Sequence, residues 1–95
     1  MTDISVADNP AQHRYEATVE GTIAGYAEYQ VTKGHVVFTH TEVDRAFEGM
    51  GVGSTLARAA LDDVRARGEH HVVAMCPFIA AWIERHPAYQ DLLAA

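Results

Sequence analysis

The stretch Glu48-Gly49-Met50-Gly51-Val52-Gly53-Ser54 separates two halves of this chain with different hydrophobic periods. Before it, apolar and polar residues alternate. After it, apolar residues recur every three or four positions. This switch confines the chain to folds in which strands feed a helix through a glycine turn. Upstream, RYEATV between about His13 and Val19 alternates as a strand does. Glu20-Gly21 then reads as a tight turn, and TIAGYAEYQV as the returning strand of a hairpin. Lys33-Gly34 marks a second turn. HVVFTHTEV, rich in β-branched and aromatic residues, is a third strand. The first dozen residues are polar, contain Asn9-Pro10, and read as a frayed end.

Downstream, VGSTLARAALDDVRARG places Val52, Leu56, Ala59, Ala60 and Val64 at helical spacing, with Gly68 where a helix would end. HHVVAMC is a short apolar run that reads as a buried strand. Pro77 opens a second helix, PFIAAWIER. His86-Pro87 interrupts it, because a residue before proline disfavours the helical region. PAYQDLLAA then reads as a short terminal helix. The expected order is β-β-β-α-β-α-α, a mixed sheet of α+β or α/β class. The portion from about Val36 to Met75 forms a right-handed parallel crossover. There is no internal repeat, low-complexity segment or linker, so residues 1–95 read as one domain.

Composition narrows the function classes. Cys76 is the single cysteine, so neither an internal disulfide nor a multi-thiolate metal site is available. A reducing, cytoplasmic setting fits that usage. No basic-then-apolar leader and no apolar run of bilayer length is present. The net charge of −6 opposes contact with nucleic acid or an anionic membrane and favours a cationic partner. An anionic ligand needs a local site that overcomes this field.

The glycine turn is a candidate for such a site. Glycines let backbone amides approach a ligand closely, and the first turn of a helix carries unpaired N–H groups and partial positive charge. Together they form a phosphate cradle without a basic side chain. A plain strand-to-helix connection with three glycines is the competing reading. A P-loop is excluded, because Gly53 is followed by Ser54 and Thr55 with no lysine. The dinucleotide fingerprint opens a βαβ unit near a first strand, whereas this turn follows three antiparallel strands.

Strand, then x-Gly-x-Gly-Val-Gly, then an alanine- and leucine-rich helix resembles the acetyl-CoA-binding motif of the GNAT superfamily of N-acetyltransferases. The resemblance is closest to its short YjdJ-type domains and covers most of the chain. The matching stretches are Phe38-Thr39-His40-Thr41-Glu42-Val43, Phe47 to Leu56, and Cys76-Pro77-Phe78 through Trp82 to Arg85-His86-Pro87-Ala88-Tyr89. It implies a minimal GNAT-like fold that transfers acetyl from acetyl-CoA to an amine acceptor, a protein amine included, without a metal. It also implies that the amides of Met50, Gly51, Val52, Gly53 and Ser54, after Gly49, hold the CoA pyrophosphate. Val43 and its neighbours would offer backbone groups to the pantetheine arm. The superfamily usually has Gln or Arg where this sequence has Glu48. A carboxylate there weakens the attraction for phosphate, and Arg45 is a candidate to compensate.

Three further residues are candidates for chemistry. Cys76 precedes Pro77 at a helix start, where the helix dipole stabilises a thiolate. The short GNAT-like domains carry Cys-Pro-Phe there. A small buried hydrophobe is the alternative. His40 sits on the third strand, where it is expected to flank the thioester and assist Cys76, and can accept a proton near neutral pH. The family pattern His-Thr-Glu matches His40-Thr41-Glu42, which makes Glu42 a second candidate base. A partly exposed strand histidine is the alternative for His40. His70 and His71, adjacent on a strand, point to opposite faces. No His-x-x-x-His occurs, so a catalytic metal is not expected. Phe78 and Trp82, four apart on one helix, read as core packing.

Three functions therefore compete: an acetyltransferase, with Cys76 either attacking the thioester or serving the departing thiolate; a CoA-binding module without an efficient acceptor site; and an interaction protein whose glycine turn binds nothing. The hairpin at Glu20-Gly21 leaves no room for the two helices that wall the acceptor pocket of larger GNAT enzymes, so an open groove is expected.

Overall fold

A computed structural model describes residues 3–68 and 71–94. One mixed sheet holds strands β1 (Ile4–Asn9), β2 (Arg14–Val19), β3 (Thr22–Thr32), β4 (His35–Val43) and β5 (His71–Ala74) in that spatial order. Strands β1 to β4 are antiparallel. After helix α1 (Val52–Arg67), β5 returns parallel to β4. Helix α2 (Pro77–Glu84) follows. The hairpin between β2 and β3 closes at Glu20 and Gly21, both in the left-handed region with φ of 49° and 81°. This is the twist-matched geometry of a two-residue hairpin turn. No helix lies between these two strands.

The amino-terminal residues differ from the frayed end expected. Ile4–Asn9 pairs along its full length with β2. Ile4 and Val6 rest on the core, and the Asp8 carboxylate accepts Tyr29 Oη–H at 2.5 Å and Arg67 Nη2–H at 3.0 Å. Those partners lie far along the chain, so local composition does not reveal the strand.

Helix α1 buries Val52, Leu56, Ala57, Ala60, Leu61 and Val64; the expected Ala59 is only half-buried, at the edge of the stripe. Gly68 closes it in the left-handed conformation. The short strand expected to be buried is an edge strand. Only Val72 of β5 is buried, and Leu93 bridges to it while Ala94 N–H donates to Val72 O at 2.9 Å. His70 lies outside the described residues, and with it the reading of the His70–His71 pair.

The expected terminal α-helix is a 3-10 helix, Pro87–Leu92. Its two buried residues, Tyr89 and Leu92, are three apart, and three-residue spacing aligns on one line in a 3-10 helix. It is tied to α1 by Tyr89 Oη–H to Asp62 at 2.7 Å and by Arg65 to Asp91 through two contacts of 2.9 and 2.8 Å. No helix among the described residues is long and apolar enough to cross a membrane.

Both helices add their buried residues to one cluster with the inner face of the sheet. On that face Tyr15 Oη–H donates to Asp63 at 2.6 Å, and Arg67 joins Asp8 and Asp63 at 3.0 Å each. Burial first, then these carboxylates, pushes the Tyr15 and Tyr29 phenols well above the usual tyrosine range. The unfolded chain then loses its phenolic protons first, near pH 10. By linkage, the stability these groups contribute is fully present below about pH 10 and declines as pH rises further. Urea midpoints should hold from pH 8 to about pH 9.5 and fall beyond pH 10, with a shallower fall in Tyr15→Phe. An alkaline profile identical in that variant would refute the assignment to Tyr15.

Candidate functional site

The site begins at an irregularity in β4. Glu28 pairs with His40 while its neighbour Tyr29 pairs with Phe38, so Thr39 is an extra residue in the strand. Glu28 and Tyr29 point to opposite faces, and therefore so do His40 and Phe38, although they are two apart. Phe38 is buried in the core. His40 is turned to the other face, and Thr41 to the inner one.

At the same level β4 and β5 part. Their pairing ends at Phe38 and Ala74, and the N–H groups of Met75 and Cys76 both donate to Phe38 O, at 3.0 and 2.9 Å. From Thr39 to Val43 the β4 edge has no β5 partner. Cys76 is the N-cap residue of α2, as its place before Pro77 predicts, and is 3% exposed. Its Sγ–H donates to Thr41 Oγ1 at 3.3 Å across the mouth of this gap. His40 is not its hydrogen-bond partner. The bulge takes His40 to the opposite face, where its ring lies 6.2 Å from Tyr26 and its Nε2 is 4.0 Å from Glu42 Oε2. Thr41 is thus a site residue that sequence reading did not single out; its place in the His40-Thr41-Glu42 pattern was the available signal.

The glycine turn closes the open end of the gap. The Asp44 carboxylate accepts Ala46 N–H at 2.9 Å and starts a 3-10 turn over Arg45–Phe47. Gly49 and Gly51 follow with φ of 83° and 81°, a conformation that residues with a Cβ rarely adopt. Met50 N–H is used within the turn by Phe47 O, at 3.4 Å. The first helical bond is Thr55 N–H to Gly51 O at 3.0 Å. Among the described residues no acceptor meets the N–H groups of Gly51, Val52, Gly53 and Ser54. This free helix N-terminus can hold an anion.

A groove of about 350 Å³ runs from this terminus along α2, with Val43, Glu48, Phe78 and Arg85 among its walls. Trp82 behind it is buried, as expected, and its Nε1–H donates to Ser54 Oγ at 3.0 Å. Phe78 is not core: it is 38% exposed, with its ring over Gly53. Arg45 lines the neighbouring cleft instead. Arg85 and His86, just past the end of α2, bring basic groups to the groove, and the sequence alone assigned them no role. His86 stacks on Trp82 at 3.8 Å, and its Nδ1–H donates to Trp82 O at 2.6 Å.

A second concavity, about 560 Å³, opens where β3 begins and β4 ends and is walled by Ile23, Tyr26, Glu42, Asp44, Arg45 and Glu48. Val43 and Glu48 line both. The outer face of the sheet leading to it presents Arg14, Glu16, Tyr26, Glu28, His40 and Glu42, none of them buried. Among the described residues no three His, Cys, Asp or Glu side chains converge on a metal position.

Residues 14–92 match the family model described as GCN5-related N-acetyltransferase. No curated protein gives a significant match. Among solved structures, a GCN5-like putative N-acetyltransferase from Staphylococcus aureus superimposes with a TM-score of 0.72 at 22% identity, covering 100% of this chain and 92% of that one. The ribosomal-protein-S18-alanine N-acetyltransferase from Escherichia coli gives 0.62 at 19% identity over 78% of this chain and 66% of its own. The ribosomal-protein-alanine N-acetyltransferase from Brucella melitensis biovar Abortus 2308 gives 0.64 at 14%, covering 99% and 92%. At these identities the likeness is one of fold.

Proposed function

Because the chain belongs to the GCN5-related N-acetyltransferase family, we propose that it transfers acetyl from acetyl-CoA to an amine, in the manner of the short YjdJ-type domains. The observation that carries this reading is the unpaired β4 edge from Thr39 to Val43 running up to the free N-terminus of α1. Pantetheine is a chain of amides, and an unpaired strand edge is the natural partner for one. The N–H groups of Gly51, Val52, Gly53 and Ser54 would receive the pyrophosphate, with Arg85 adding charge that Glu48 removes. In that pose the thioester would lie toward the gap bridged by Cys76 and Thr41.

The acceptor then approaches from the outer sheet face. Its nitrogen attacks the thioester carbonyl carbon, its proton passes to Glu42 or His40, the C–S bond breaks, and the CoA thiolate leaves. Cys76, tied to Thr41, serves the sulfur end of this reaction. A protein amine suits the open face. Two of the similar structures are named for ribosomal-protein alanines.

Calorimetric titration with acetyl-CoA and CoA-release assays with peptide and small amines test the proposal. Saturable binding and amine-dependent release are expected. Binding without release by any amine would leave a CoA-binding module, and no binding would overturn the reading. Cys76→Ala should keep acetyl-CoA binding and lose about 10²-fold in turnover, the scale of one proton-managing group. A parental rate would make Cys76 a core residue. Intact mass after incubation with acetyl-CoA alone separates the two routes: an acetyl group on Cys76 marks a covalent intermediate, its absence direct attack.

A further inference from the structure

We infer that Tyr26, on β3, is the positioning residue that holds the Glu42 carboxylate for the acceptor amine; this rests on the acetyltransfer reading above. Tyr26 and Glu42 are directly paired across β3 and β4. The phenol donates to Glu42 Oε2 at 2.5 Å, and His40 Nε2 approaches that same oxygen at 4.0 Å. Among the described residues no group meets the other oxygen, Oε1. A carboxylate on a strand exposed as this one is (59%) would otherwise rotate freely. Tyr26 removes that freedom at the wall of the second concavity, which both residues line, and leaves Oε1 without a partner among the described residues.

Tyr26 is itself held. Arg14 lies over its ring at 4.7 Å, Arg14 Nε–H donates to Glu16 at 2.7 Å, and Asn9 Nδ2–H donates to the same Glu16 oxygen at 3.3 Å. One connected set of side chains thus crosses the outer face from β1 to β4 and ends on Glu42. The hydrogen bond to Glu42, before any other cause, raises the phenol above its ordinary range. It stays protonated, and so stays a donor, through neutral pH. The role follows from chemistry: an amine loses a proton as it attacks, and a carboxylate with one oxygen anchored offers the other in a fixed direction.

A double-mutant cycle decides it, read as steady-state kcat/KM for a peptide amine with parallel titration of acetyl-CoA. Tyr26→Phe keeps the ring and its place under Arg14. It is expected to lower kcat/KM for the amine about tenfold, at the scale of one lost charge-assisted hydrogen bond, with acetyl-CoA affinity and melting temperature unchanged. Glu42→Gln is expected to cost more. In the Glu42→Gln background, Tyr26→Phe should add no further loss, because Tyr26 acts only through the carboxylate. Two losses that multiply would mean Tyr26 acts independently, and a parental rate in either single variant would overturn the role. If the parent binds no acetyl-CoA or releases no CoA, the acetyltransfer reading fails and this role with it. If the parent turns over and Tyr26→Phe matches it, this role alone fails.

Discussion

Trp82→Ala is expected to lower the free energy of unfolding by about 3–5 kcal/mol, the range for emptying a buried aromatic site. Trp82 is 1% exposed and joins three elements. It stacks on His86 at 3.8 Å, meets the Tyr89 ring edge-on at 4.9 Å, and lies under the Arg58 guanidinium at 5.4 Å. Its indole N–H holds Ser54, at the N-terminus of α1. The remaining space cannot close, because the surrounding contacts belong to α1, α2 and the final 3-10 helix, each anchored elsewhere. Urea denaturation measures the loss, and a change below about 1.5 kcal/mol would show that the site collapses around the alanine. Trp82→Phe keeps the stacked ring and drops the N–H, so it should recover most of the stability.

Gly53→Val is expected to weaken acetyl-CoA binding by about ten- to hundredfold, with far less effect on folding. Gly53 is helical and has no positive-φ demand, so the backbone accepts valine. Its Cβ would sit 2.8 Å from Phe78 Cζ. That ring is partly exposed and borders the groove, so it can yield by swinging toward it. The displaced ring and the new isopropyl group then cover the N–H groups of Val52 and Gly53. Losing one such charge-assisted contact costs about 1.5–3 kcal/mol, at 1.4 kcal/mol per factor of ten. Gly51→Val is a poorer test, because φ of 81° strains any β-branched residue whether or not a ligand binds. Calorimetry on Gly53→Val with a parallel melting curve separates binding from folding. Parental affinity in a folded variant would move the cradle elsewhere.

The residues that announce themselves in the sequence are those whose role is local. Alternation upstream of Glu48 and helical spacing from Val52 mark strands and helix, because periods of two and 3.6 follow from backbone geometry alone. Glu20-Gly21, Gly49 and Gly51 encode their turns through allowed φ, and Pro77 makes Cys76 an N-cap. Three of the four antiparallel strands, the parallel crossover and the glycine turn were legible for this reason. The tertiary structure decided everything that depends on register. Strict alternation puts His40 on the face of Phe38, beside Cys76; one extra residue at Thr39 reverses it, because the side-chain period of a strand is two and a one-residue slip exchanges faces. The partner of Cys76 is therefore Thr41, and His40 joins Tyr26 and Glu42 on the outer face. Ile4–Asn9 pairs with β2 and is anchored through Asp8 by Tyr29 and Arg67, 21 and 59 residues away. Arg85 reaches the groove only because α2 docks against α1 through Trp82 and Ser54. Contacts at such separations are chosen by the packing of the whole sheet, and no local pattern records them.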